Sequence, residues 1–308
     1  MSAPAPAPAP NASPARRPSE LTLRWLSAGV LIPVFATVTV VGGLWFVAIV
    51  AALNAISINE FYNFIRAKGA EAQRSFGTVA VLALPFIVYV GDAALATSFL
   101  TAVLLATLLL QLFRQRIDQA IASIAATFFG VLYVGWLLSH TVSVRFVSDD
   151  TLFAAARLPA GAGIFFTLFT ICAVLGSDAG AFFVGRWFGR HKLAPQVSPG
   201  KTVEGAFGGV AFGVLLAMGC KAAFSQWVPG DPSASFTYAA AAAIGAALAA
   251  VAVLGDLIES LLKRDAHVKD AGRIVPGVGG ALDRFDSALV AFPLMYYLLL
   301  AYYRLGTS

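Results

Sequence analysis

Asp256, Glu259, Ser260 and Lys263 recur at intervals of three, one and three residues. On a helix this spacing places all four on one face. The stretch they belong to, GDLIESLLKRDAHVKD, adds Arg264, Asp265, Lys269 and Asp270, so both signs are dense. Directly upstream, residues 236–254 contain no charge. Asp256 thus stands where an apolar run stops. A carboxylate at such an edge needs a partner, and a cation is a natural one. A solvated helix end laced with ordinary ion pairs fits the same pattern.

Three further groups could do chemistry. Residues 272–287, GRIVPGVGGALDRFDS, set Gly279 and Gly280 just before Asp283, Arg284 and Asp286. Glycine backbone can approach a phosphate closely, and paired acidic residues can hold a divalent cation; a plain turn is the alternative. The dinucleotide fingerprint is excluded, because no strand precedes and Leu282 occupies the third glycine position. In SPGKTVEG, Ser198, Lys201 and Thr202 can donate to phosphate, and Thr202 suits the cap of a helix opening near Glu204. Pro195 stands where a P-loop needs its first glycine. Asp178 lies inside an apolar run, at a cost of roughly 2.5–3.5 kcal/mol on insertion scales. A functional role is the default there, with a structural hydrogen bond to a neighbouring helix as the alternative.

The elements that must position these groups are set by composition. The 308 residues are 59% hydrophobic and only 12% charged, too little charge to cover a water-soluble domain. Nine apolar segments stand out, at 26–42, 44–62, 76–91, 93–113, 119–140, 162–185, 204–224, 236–257 and 287–304. Each is close to the ~20 residues a helix needs to cross the ~30 Å of hydrocarbon. The expected fold is an all-α polytopic membrane protein of about nine transmembrane helices. With the N-terminus cytoplasmic, 17 of the 21 Lys and Arg fall on the cytoplasmic face, as the positive-inside rule requires. Two long basic connections, 185–205 and 256–286, then share that face and can form one site. Gly209 and Gly213 suit close helix packing.

The organisation reads as a disordered Pro/Ala-rich tail over 1–24, N-terminal transmembrane helices over 25–160 and a catalytic transmembrane region over 161–308. Cys172 and Cys220 lie in apolar segments and read as packing residues. The net charge of +5 belongs mainly to one face and suits anionic headgroups or phosphates, with no need of nucleic acid.

Residues 260–286, SLLKRDAHVKDAGRIVPGVGGALDRFD, resemble the signature of the phosphatidate cytidylyltransferases, or CDP-diacylglycerol synthases. Ser260, Lys263, Arg264, Lys269, Asp270, Pro276, Gly279, Gly280, Asp283, Arg284 and Asp286 match it in register. Residues 177–209 and the short INEFYNF are similar to other family segments. Val278 stands where the family has His, which bears on activity or substrate identity more than on fold. The resemblance implies transfer of CMP from CTP to phosphatidate, with pyrophosphate released. It implies Asp256 and Asp283 as Mg²⁺ ligands. Ser198, Lys201 and Thr202 would cradle CTP phosphates. Lys263, Arg264 and Arg284 would neutralise phosphate charge, while Asp178, Asp270 and Asp286 would orient cations or basic partners. Ser260, Lys269, Gly279 and Gly280 complete the expected substrate contacts. It also implies an active site at the cytoplasmic boundary of the bacterial inner membrane, and is compatible with a homodimer.

Three other readings stay open on sequence: a CTP-dependent polyprenol or lipid-alcohol kinase, an ion-coupled transporter, and a relative that binds CTP without turnover. The transporter reading calls for polar residues spread through several spans. Here polarity concentrates in two connections.

Overall fold

A computed structural model of the chain describes residues 33–114, 117–268, 271–272 and 279–305. The N-terminal tail lies outside that range. Helix α1 covers 33–41 and α2 covers Gly43–Ala67. The break between them falls at Gly42 and Gly43, with φ of 66° and 58°, a region open to glycine. Helices α3 (Arg74–Tyr89) and α4 (Ala93–Phe113) follow. Helix α5 (Ala120–Gly130) passes through a π-helical turn, Val131–Trp136, into α6 (Leu137–Arg145). Then come α7 (Ala162–Phe188), α8 (Val203–Trp227), α9 (Tyr238–Asp265) and α10 (Leu282–Leu305).

Among the described residues, seven helical stretches are long and apolar enough to cross a membrane, and α3 is a shorter apolar helix. Each of the nine apolar segments therefore meets a helix, and the all-α polytopic reading holds. Large apolar side chains are widely exposed, Leu112 at 72% and Trp45 at 75% among them. A water-soluble surface rarely carries so much apolar area; facing lipid, it costs nothing. The interior holds the polar groups instead. Asn54 Nδ2 donates to Gly135 O at 3.3 Å and to Ser139 Oγ at 3.2 Å, pinning α2 to the π-helical turn and α6.

Two differences from the sequence reading concern the connections. Residues 256–265 are the last turns of α9, and 283–286 are the first turn of α10, so much of the 256–286 connection is helical. At 28 residues α9 is about 42 Å long, which carries its charged end beyond the ~30 Å hydrocarbon layer. The helix survives there because Leu257, Ile258, Leu261 and Leu262 keep an apolar face opposite the charged stripe. The 185–205 connection folds into a hairpin, with β1 (Lys192–Ala194) antiparallel to β2 (Ser198–Thr202).

Helices α7, α8 and α9 pack through small residues. A Cβ on Gly176 would come 2.7 Å from Phe212 O and 2.9 Å from the Gly213 Cα. Gly209 and Gly213 likewise face the α7 backbone, in the packing role their spacing suggests. Ser177 Oγ donates to Ala249 O at 2.9 Å, and Ser287 Oγ donates to Ala252 O at 3.1 Å, so α7 and α10 are both tied to α9. A Gly176→Val change should destabilise the bundle by about 1–3 kcal/mol, as overpacking does. Gly219→Val, where a Cβ meets nothing within 4 Å, should leave it unchanged. Thermal unfolding of the detergent-solubilised variants checks the contrast.

Candidate active site

The C-terminal ends of α7 and α9, the N-terminal ends of α8 and α10 and the hairpin enclose a cavity of about 460 Å³. Asp178, Lys201, Thr202, Asp256, Lys263, Asp283 and Asp286 all line it. The two remote connections thus meet at one end of the bundle.

The hairpin delivers Lys201. Pairing of Lys192 with Thr202 and Ala194 with Ser198 fixes its register. Thr202 Oγ1 accepts from Gly205 N at 3.1 Å and caps α8, in the role its position suggests. One turn in, Glu204 accepts from the backbone of Arg190 at 3.0 Å and from His191, closing the hairpin onto the helix start. Lys201 Nζ then lies 2.7 Å from Asp256 Oδ2 on α9. The contact is an ion pair without the angle of a well-directed hydrogen bond.

Lys263 forms the second junction. Its Nζ donates to Glu259 Oε2 at 3.1 Å and to Asp283 Oδ1 at 2.8 Å. The first contact is an (i, i+4) pair within α9, and the second crosses to α10. Asp283 Oδ2 accepts from Gly280 N at 2.8 Å and Ala271 N at 2.9 Å, so this carboxylate also fixes the chain entering α10. Asp286, 8% exposed, accepts from Ser287 N at 2.6 Å. Asp178 is accessible through the cavity, within electrostatic reach of Asp286, Asp256 and Lys201.

Other expected residues lie at the periphery. Ser260 Oγ donates to Asp256 Oδ1 at 3.4 Å but does not line the cavity. Arg264 is exposed and donates to Val197 O at 3.2 Å, tying α9 to the hairpin turn. Arg284 is exposed, and it, Ser198, Gly279 and Gly280 are outside the lining. Lys269, Asp270 and Val278 fall outside the described residues.

Two residues had no assigned role from sequence, although Glu259 stood in the charged stripe and Glu60 in INEFYNF. Glu259 is fully buried against the cavity, and its Oε1 has no hydrogen-bond partner. Its spacing to Lys263 was the available signal. Glu60, on α2, accepts from Ala281 N at 3.1 Å and Leu282 N at 2.8 Å. It sits 222 residues away in sequence, within the INEFYNF stretch that is similar to a family segment.

The donor set suits a hard cation. Five carboxylates line the cavity, those of Asp178, Asp256, Glu259, Asp283 and Asp286, against Lys201, Lys263 and Arg186, a formal excess of acid. Among the described residues no three acidic, His or Cys side chains converge into a complete metal cage. Mg²⁺ does not need one, since it takes one or two carboxylates and fills its shell with water and phosphate oxygens. The cavity can therefore take a hard cation beside an anionic phosphate chain.

The chain is 32% identical to the phosphatidate cytidylyltransferase of Synechocystis sp. over 90% of its own length and 95% of the relative's. It is 29% identical to that of Bacillus subtilis over 86% and 93%. A shorter match to the Haemophilus influenzae protein reaches 41% over 44% of the chain and 46% of the relative. The signature of the cytidylyltransferase family matches residues 22–302, and the chain belongs to that family.

Proposed function

We propose that the chain transfers CMP from CTP to phosphatidate, giving CDP-diacylglycerol and pyrophosphate for phospholipid synthesis. One observation carries the reading. In a chain matched to the family over residues 22–302, the hairpin lysine and the helix-end carboxylates converge on one cavity at one end of the bundle. One substrate is soluble and the other is anchored by its acyl chains, so their phosphates can meet only at the bilayer boundary.

In the reaction an oxygen of the lipid phosphate attacks the α-phosphorus of CTP. A new P–O bond forms, and the bond from the α-phosphorus to the bridging oxygen breaks. The electron pair leaves on pyrophosphate. The attacking phosphate is already anionic, so no strong general base is required. Lys201 and Lys263 are held in the cavity by Asp256 and Asp283. Both ammonium groups can turn to phosphate oxygens when a nucleotide enters, since Lys is a mobile point charge on a flexible stem. Asp256 and Asp283 would hold Mg²⁺, which when bound supplies charge neutralisation on the phosphates. Asp178 and Asp286 would orient the cations beside them. Ser198 and Thr202 belong to the same hairpin strand and would support the nucleotide's phosphate chain. Ser260, Lys269, Asp270, Gly279 and Gly280 remain substrate contacts of this proposal, and Arg264 and Arg284 would add positive potential at the rim.

The site end of the bundle would face the cytoplasm of a bacterial inner membrane, on the strength of the Lys and Arg asymmetry. Single cysteines replacing Gln196 and Ala234, in a background without Cys172 and Cys220, test this. An impermeant thiol reagent added to intact cells should label position 234 and reach 196 only after permeabilisation. The reverse pattern would invert the assigned orientation.

The decisive assay supplies purified protein with labelled CTP, phosphatidate and Mg²⁺. Pyrophosphate and the CDP-lipid should appear together. Release of CDP with a phosphorylated lipid alcohol would identify a kinase instead. Asp283→Asn should lower turnover by at least about 100-fold, and unchanged turnover would refute its assigned role. Lys201→Met should raise KM for CTP by about 10- to 100-fold, the worth of a hydrogen bond to a charged group, while the KM for phosphatidate stays close to wild type.

A further inference from the structure

The first turn of α10 carries Asp283 and Asp286 into the cavity, yet α10 begins in a glycine-rich segment with no Ser, Thr or Asn to cap it. The first N–H groups of any helix lack partners within it. Here they are met from the other half of the chain. Glu60, 3% exposed, accepts from Ala281 N through Oε1 and from Leu282 N through Oε2. Both oxygens of one carboxylate thus grip consecutive amides at the positive end of the helix dipole, where anionic acceptors bind most strongly.

The fit around Glu60 is close. A Cβ on either Gly272 or Gly280 would collide with its carboxyl group, so both glycines, upstream of α10, lie directly against it. Asp283 binds Gly280 N and Ala271 N. Residues 271–272 and 280–282 are therefore held between two carboxylates. Asp283 also binds Lys263; the hydrogen-bond partners of Glu60 are Ala281 N and Leu282 N. Glu60 does not line the cavity.

We infer that Glu60 is a positioning residue for catalysis: it sets the start of α10 and thereby the direction in which Asp283 and Asp286 enter the cavity. The inference rests on the proposed CMP transfer. Its consequence is a specific kinetic signature. Loss of the grip should misplace the Asp283 carboxylate relative to Lys263 while the cavity walls, built by α7, α8 and α9, stay in place. Substrate binding should then persist while turnover falls.

The test uses the full chain in detergent or lipid nanodiscs, as Glu60→Gln and Glu60→Asp. Gln keeps the size and one acceptor oxygen but turns an N–H donor towards a backbone N–H. Asp keeps the charge on a shorter arm. Three quantities are read together: kcat and KM for CTP and phosphatidate, the thermal midpoint, and amide hydrogen exchange along the chain. For Glu60→Gln, kcat should fall by about 10- to 100-fold, the usual effect of removing a group that orients a reacting one. Both KM values should stay within about twofold, on the same argument. Faster exchange should be confined to residues 279–285, and Glu60→Asp should recover part of the lost turnover. Wild-type kcat in Glu60→Gln would overturn the inference. So would a loss of activity matched by faster exchange throughout the bundle, because that marks a merely structural residue. Should Glu60→Gln fail to fold, the same three readouts on Glu60→Asp decide. Should the wild-type protein make no CDP-lipid, the proposed reaction falls, while the exchange pattern at 279–285 still decides whether Glu60 holds the helix.

Discussion

Lys263 is the centre of the site because it joins the charged ends of α9 and α10. A largely buried ammonium is tolerable only with close carboxylates, since removing one partner leaves an uncompensated charge in a medium that solvates it poorly. Glu259 satisfies it from the same helix and Asp283 from the next. Lys201 and Asp256 repeat the arrangement between hairpin and helix. The two pairs keep cationic and anionic groups side by side. In the proposed reaction a phosphate chain would take over the lysines and a cation the aspartates.

The rest of the fold serves to place this ionic layer at one depth. Small residues let α7, α8 and α9 approach to backbone contact, which leaves no room for lipid between them. The apolar lengths of these helices then set where their charged ends emerge. Helix α9 overshoots the hydrocarbon, and its overshoot carries Asp256, Glu259 and Lys263. The hairpin after α7 folds back to the same level and is locked there by Thr202 and Glu204. Chemistry on a lipid phosphate needs such a layer, because the headgroup cannot leave the interface.

Much of this was legible in the sequence, for identifiable reasons. Hydrocarbon thickness imposes a length on every span, so the apolar segments met helices. The parity of the spans, supported by Lys and Arg placement, put the two basic connections at one end, and Lys201 and Asp256 do meet there. The charged stripe from Asp256 to Lys263 was visible from its helical period. What escaped was of two kinds. The hairpin and the early start of α10 depend on hydrogen bonds across the site, which short-range patterns do not encode. Glu60 belonged to a family-like stretch, INEFYNF, but its role comes from amides at 281 and 282. Val278 and the neighbouring Lys269 and Asp270 lie outside the described residues, so the family resemblance there rests on sequence alone.

The span between Glu60 and its donors also orders events during synthesis. The ribosome makes α2 first and must add 222 more residues before Leu282 exists. At typical elongation speeds that takes roughly 10–40 s. Throughout this interval a carboxylate destined for burial has no amides to receive it, and burying it bare costs several kcal/mol. A copy that stops short of its last helix therefore keeps an acidic side chain without the two donors that receive it in the folded chain.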